Sequence, residues 1–535
     1  MKKLFISLAL ALITLTAGAQ GPQVKTTCGV LEGVYQSGIK VFKGVPFAQP
    51  PVGELRWKAP QPVKPWSGVR PAKDFGPNPM QQPLFGDMMF GTKKMSEDCL
   101  YLNIWTPAKT MDEKLPVLVY FYGGGLLGGS GSEPRYAGES MARHGIVSIT
   151  VNYRLGVFGF LAHPELSKET SYKGSGNYGF MDQAAALQWI KDNIAAFGGD
   201  PERVTIVGES AGSTSVCALM ASPVSKGLFA QAMGSSASIL NYYDMPTLKE
   251  AEKCGTDVMK AVGCKSLAEM RALPAEQLMN TAPGTDMQRM YNIDGYFFTE
   301  QPRITFENGR QAHVPLLIGG NNAECPIQAY MGKHPITRQG LIESISDRFG
   351  KDTEAMVDAY GIKTDADVSG ERGLWLGSDL FVAYGTWKWA TMHEKTGQSP
   401  VYRYLYCHPR PAMRITGKTP GLAGGVVDAK DAEAKTPADK GARHSSDIEY
   451  AMGNLPTNRV YDWQPDDYTM STIFQSYYLN FVKTGNPNGL GLPDWTPTNG
   501  QDVAPVLHLD VNTYMTVDKD REDVYKKVDA LLWNK

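Results

Sequence analysis

The chain has 535 residues, 42% of them hydrophobic and 20% charged, with 53 basic side chains against 55 acidic ones. So even a balance gives no electrostatic reason to expect a nucleic-acid or membrane-surface partner, and the composition suits a globular protein with a large core. The 7 cysteines are odd in number and too few for a disulfide scaffold, and no two cysteines or histidines stand at metal-ligand spacing, so no metal cluster is expected.

The N-terminus opens on Met1-Lys2-Lys3, continues with the apolar stretch 4–15 and ends in small residues up to Ala19. These are the three regions of a secretory signal, with cleavage predicted after Ala19 and residues 20–535 left as one exported domain. An apolar stretch of about 12 residues is too short to span a bilayer, which needs roughly 20, and no stable membrane insertion is expected elsewhere. No cysteine stands at the cleavage point to carry a lipid.

Apolar runs at 115–122, 146–153, 204–207 and 315–318 are short, unalternating and rich in β-branched residues, the pattern of strands buried on both faces. Between them, 182–197 reads as a mostly apolar helix that stops at Gly198-Gly199. Strand, helix, strand in this order predicts an α/β fold, a mostly parallel sheet covered by helices. The run Gly123-Gly124-Gly125 directly follows the first of these strands, so unhindered amides can turn toward a site at its end; a phosphate loop would need a lysine and a hydroxyl residue next, and they are absent.

After 204–207 comes Gly208-Glu209-Ser210-Ala211-Gly212, then a helical pattern over 213–220. This context puts Ser210 on a sharp strand-to-helix turn, with Oγ near a helix N-terminus, the geometry of a nucleophile; on its own, the pentapeptide also fits a plain turn of small residues. Further on, Cys254 and Cys264 flank a helical segment that would hold them apart rather than let them pair. Residues 417–443 are rich in Gly, Ala, Lys and Asp with almost no large apolar side chain, and are expected to be a flexible, solvated excursion. The C-terminal part returns to order, with helices predicted at 471–483 and 522–532 and a strand at 506–509.

A serine hydroxyl needs a histidine base, a carboxylate to orient it and donors for the oxyanion. His163 and His408 precede prolines and His334 follows a lysine, all read as surface or turn residues. His444 closes the excursion and opens His444-Ser445-Ser446-Asp447-Ile448, where a loop meets an ordered element.

Taken in order, Lys43-Gly44-Val45-Pro46-Phe47-Ala48, Pro50-Pro51-Val52-Gly53-Glu54-Leu55-Arg56-Trp57, Ser96-Glu97-Asp98-Cys99-Leu100, Tyr122-Gly123-Gly124-Gly125, Asn152-Tyr153-Arg154, Phe197-Gly198-Gly199-Asp200-Pro201 and the serine pentapeptide give the chain a pattern. It resembles the type B carboxylesterase/lipase family of α/β-hydrolases, which includes bacterial para-nitrobenzyl esterases, animal carboxylesterases and cholinesterases. The resemblance supplies the carboxylate: Gly319-Gly320-Asn321-Asn322-Ala323-Glu324 fits the family turn and implies Glu324, with Cys325 replacing a glycine.

Carried over, the family roles make Ser210 the nucleophile, His444 the base and acid, Glu324 its orienting partner, and the amides of Gly124, Gly125 and Ala211 the oxyanion donors. Glu209 either tunes the histidine or is a packed surface carboxylate. Ser235 stands where the family has a supporting serine, and Arg56 with Glu97 matches a structural ion pair. Met80 replaces the cysteine that would pair with Cys99, leaving a buried free thiol, and Met89 aligns with the tryptophan that cradles choline.

The expected activity is hydrolysis of a small-molecule carboxylic ester through an acyl-enzyme, without metal or cofactor. A lipase or a polysaccharide acetyl or feruloyl esterase is the alternative within enzymes, and a non-catalytic adhesion protein the rival outside them. Leu126-Leu127 suggests an aliphatic wall. Because His444 must be neutral to act, activity is expected to fall on acidification through about pH 6 to 7.

Overall fold

The computed structural model describes residues 21–281, 291–350, 353–429, 434–498, 500–501 and 503–533, so the predicted leader lies outside the described residues. Its centre is an 11-stranded sheet. In chain order the strands are β1 (Val34–Gln36), β2 (Ile39–Pro46), β3 (Tyr101–Thr106), β4 (Leu115–Phe121), β5 (Val147–Val151), β6 (Gly199–Glu209), β7 (Gln231–Ser235), β8 (Leu316–Asn321), β9 (Val401–Tyr406), β10 (Pro505–Leu509) and β11 (Tyr514–Val517). They lie side by side as β11-β10-β9-β8-β7-β6-β4-β5-β3-β2-β1. The middle of this order, from β10 to β5, is parallel, and both ends are antiparallel.

The unalternating runs predicted this burial: Val117, Leu118, Val119, Ile206, Leu316 and Leu317 are all fully buried, with helices on both faces of the sheet. The helix predicted over 182–197 begins earlier, at Tyr178, continues to Asn193 and tightens into a 3-10 turn at Ile194–Phe197, ended by Gly198 at φ 80. The helix predicted at 471–483 runs from Pro465 to Thr484. Pro465 sits in its first turn and Gln464 forms a capping box with Asp467, signals outside its apolar pattern. The last helix spans Lys519–Trp533.

The segment between Cys254 and Cys264 lies largely within the helix Leu248–Ala261, and every cysteine is a free thiol, Cys99 a buried one. Arg56 and Glu97 pair at 2.7 and 2.5 Å, and Arg56 also donates to the carbonyls of Met270, Arg271 and Leu273, so it fastens a loop to a helix end. The expectation that His163 and His408 are surface or turn residues is not met. His163 is buried and caps the helix Pro164–Glu169, and His408 is held between Asp467 and Asp510 at 3.0 and 2.7 Å. A histidine before a proline has a restricted backbone, but its exposure depends on contacts far along the chain.

Within 417–443, Lys418–Pro420 and Val426–Asp428 pair as a small hairpin. Its Gly425 amide donates to Asp87 Oδ2 at 3.0 Å. A Cβ on Gly421 or Gly425 would lie 2.2 or 1.7 Å from Asp87 atoms, so the hairpin sits directly on the loop containing that buried residue. A second apolar cluster, including Leu341, Tyr360, Trp387 and Val528, joins helices after β8 to the C-terminal helix. Between the helices Glu371–Ser378 and Tyr384–Thr396 the chain forms one π turn, Asp379–Ala383. Buried Asp379 holds this turn by accepting from Arg521, from Tyr360 at 2.7 Å and from Tyr525 at 3.1 Å.

Candidate active site

β6 ends at Glu209 and the helix Ala211–Ala221 begins two residues later, which leaves only Ser210 to make the turn. Ser210 adopts φ 56 and ψ -123, a conformation that L residues avoid and that persists only where its surroundings enforce it. Those surroundings are tight. A Cβ on Gly208 would meet the carbonyl of Gly212 at 2.2 Å, and one on Gly212 would meet the Phe121 oxygen at 2.0 Å. Both flanking glycines are therefore required by close approach, and the plain-turn reading is set aside.

His444 lines the same cavity as Ser210 and is brought there by the turn after β8. The Ala323 amide donates to Ala442 O at 2.9 Å, the Ala442 amide to Asn322 Oδ1 at 2.8 Å, and Asn321 Nδ2 to Arg443 O at 2.7 Å. These bonds lay the segment ahead of His444 against the turn after β8, with Arg443 bridged to Ala323. There His444 Nδ1 meets Glu324 Oε2 at 2.7 Å, while Glu324 Oε1 accepts from the Asn321 amide at 2.6 Å and from Ser236 Oγ at 2.5 Å. Glu324 and His444 are both buried. Cys325, in place of the family glycine, has a negative φ, so the turn does not need glycine there.

Glu209 is 4% exposed, which rules out a surface carboxylate. Its Oε1 accepts from Ser445 Oγ at 2.6 Å and lies 3.4 Å from His444 Nε2. Burial opposes charge on His444, but the carboxylates of Glu209 and then Glu324 outweigh it and lift the imidazole to about 9. Burial also pushes the Glu209 carboxyl up, to about 7, against the pull of His444. Ser235 donates to Asp447 Oδ2 at 2.5 Å, one layer behind, and Asp447 also accepts from Asn321.

Gly123, Gly124 and Gly125 cross in front of Ser210. Gly124 and Gly125 have φ 105 and 65, and a Cβ on Gly123 would meet Ser210 Cβ at 3.0 Å and the Glu209 oxygens at 2.8 Å. Among the described residues, the amides of Gly124 and Gly125 have no protein acceptor, and Ala211 is the first residue of its helix, where the amide has none within the helix. The cavity here has two lobes that share Ser210, Gly125 and Phe381. The wider lobe, about 180 Å³, contains His444, Glu209 and Leu422 of the hairpin. The narrower, about 100 Å³, contains Ala211, Leu126 and Asn241.

Of the expected aliphatic wall only Leu126 faces the cavity, since Leu127 packs toward Gly156; and Met88, not Met89, lines the wider lobe. Phe381, which sequence reasoning missed, rests edge-on against the His444 ring at 4.7 Å between centroids. It is carried by the π turn, and nothing in the local pattern around 381 announces it. Ser236 and Ser445 were also missed, as small residues beside residues already chosen.

The carboxylesterase family model matches residues 20–527. The chain is 35% identical to fumonisin B1 esterase of Sphingopyxis macrogoltabida, over 86% of this chain and 82% of the relative. It is 30% identical to para-nitrobenzyl esterase of Bacillus subtilis (strain 168), over 93% and 96%. Among solved structures, a carboxylesterase of Geobacillus stearothermophilus matches with a TM-score of 0.77 at 31% identity, covering 94% of this chain and 99% of that one. The strained serine turn, the parallel sheet that carries it and a family match over nearly the whole length agree, and the chain belongs to the carboxylesterase family, as a carboxylic ester hydrolase of α/β-hydrolase fold.

Proposed function

We propose that this protein is an exported serine carboxylesterase that cleaves small-molecule esters through an acyl-enzyme. In this reading Ser210 Oγ attacks the ester carbonyl, and the amides of Gly124, Gly125 and Ala211 receive the oxyanion. His444 Nε2 takes the serine proton and returns it to the departing alkoxide, while Glu324 fixes the ring through Nδ1 and stabilises the imidazolium. Water then enters, His444 takes its proton as the water oxygen bonds to the acyl carbon, and collapse of the tetrahedral intermediate breaks the bond to Ser210 Oγ, which recovers the proton from His444 as the acid leaves. The observation that carries the reading is the convergence of a strained serine, a histidine bonded to a buried carboxylate, and unpaired amides on one cavity.

The chemistry orients the substrate. His444 must reach the leaving oxygen, so the alcohol belongs in the wider lobe that His444 lines, and the acyl group in the narrower lobe beside Ala211. Ser210→Ala is expected to lower kcat for 4-nitrophenyl butyrate by roughly 10⁴ to 10⁶ and to abolish labelling by a fluorophosphonate. A variant retaining more than a tenth of wild-type turnover would remove Ser210 from the mechanism. Export rests on the leader sequence, and N-terminal sequencing of the protein recovered from its native host should find Gln20 first; a chain beginning at Met1 would overturn it.

A further inference from the structure

One buried cation in the wider lobe is left over by the ester-cleaving machinery. Arg135 is 1% exposed, and its Nε donates to Glu133 Oε1 at 2.5 Å. Among the described residues Nη1 has no partner, and it is buried against the hairpin, 2.3 Å from where a Cβ on Gly424 would stand. A guanidinium this far from water normally has its fork filled, because each buried donor left unpaired is costly.

The charges around it select what fills the fork. The titratable side chains lining the lobe are Glu133, Arg135, Tyr136, Glu209 and His444. Glu133 is paired with Arg135, Glu209 faces His444, and Glu324 adds a further carboxylate behind the imidazole. Behind Arg135, buried Arg410 is already paired with Glu449 at 2.6 Å, and that carboxylate also acts on Arg135. A ligand carboxylate would therefore enter a lobe with no surplus of positive charge. A hydroxyl suits it better, since it can accept from the fork and donate to Glu133 or Glu209. Phe85, Met88 and Leu422 supply apolar surface for the carbon face of such a group.

We propose that Arg135 and Glu133 form a recognition site for a leaving alcohol that carries further free hydroxyls, a polyol or a sugar. The inference rests on the assignment of the alcohol to the lobe that His444 lines.

Acetates that share one acyl group test it: glycerol 1-acetate and glucose 6-acetate against propyl acetate and cyclohexylmethyl acetate, with acetoxyacetate as the carboxylate-bearing arm. The hydroxylated pair is expected to exceed the hydrocarbon pair in kcat/KM by at least about tenfold, as expected where a site is built to hydrogen-bond a hydroxyl. In E133Q/R135M, which removes both charges together, this ratio should fall to near one. Equal rates on both pairs in the wild type, a preference for acetoxyacetate, or a ratio unchanged in the folded double variant would overturn the proposal. The wild-type ratio needs no variant, so a double variant that failed to fold would still leave the proposal decided. If all arms were cleaved equally and Ser210→Ala abolished every one, this inference alone would fail and the serine mechanism would stand.

Discussion

Glu209 and His444 are both buried, and their charges bear directly on each other across 3.4 Å. In the proposed mechanism His444 must be neutral, and with its imidazole lifted to about 9 the loss of activity on acidification is expected above the window of about pH 6 to 7 that suits an unperturbed imidazole. The sign follows from the charges: Glu209 is the leading influence that favours the protonated ring, so removing its charge lets His444 lose its proton at lower pH. Glu209→Gln should therefore shift the acid limb of the kcat/KM profile to lower pH, and an unmoved limb would show that Glu209 does not set the base.

At this scale the sequence was readable where a residue's own neighbours impose its geometry, as at Ser210, and where a known family pattern supplied a partner, as for Glu324. It was unreadable where the partner lies far along the chain. Ser236 reaches Glu324 across 88 positions and Ser445 reaches Glu209 across 236, and no local pattern records either contact.

Among the elements, the elbow between β6 and the helix Ala211–Ala221 carries the tightest steric demand. Gly212 lies against the last residue of β4, so Gly212→Ala must push two strands or the helix apart. It should cost about 1 to 3 kcal/mol in denaturant unfolding, the usual range for overpacking, and lower turnover with it; a variant of wild-type stability and activity would contradict this packing. The strands were legible because burial on both faces removes alternation, leaving plain apolar runs. Helix ends were not, since Pro465 and the Gln464 cap lie outside the apolar pattern of their helix. The π turn was invisible for a different reason: it is held by Asp379, whose partner Arg521 belongs to the C-terminal helix.

For the whole molecule, the serine turn, the glycine run and His444 come from separate stretches that meet only because the strand order departs from chain order. β6 lies between β4 and β7, so the turn after β4 and the elbow after β6 emerge side by side. Parallel strands predict that loops gather at their C-terminal ends, but not which strands are neighbours. The hairpin within 417–443 shows the limit of composition: a stretch poor in apolar residues still supplies Leu422 and Ala423 to the cavity, because glycines let it lie flat on Asp87.

The φ of 56 at Ser210 implies a trade between durability and work. Glycine adopts that conformation without strain, whereas serine there carries a penalty of about 1 to 3 kcal/mol that the rest of the fold must absorb. Ser210→Gly should accordingly melt at a higher temperature than the wild type while cleaving no ester, and a lower melting temperature would show that Oγ contributes more to folding than its backbone costs. If it melts higher, the most stable form of this chain is one that cannot act, and selection for activity has kept the protein below its own attainable stability.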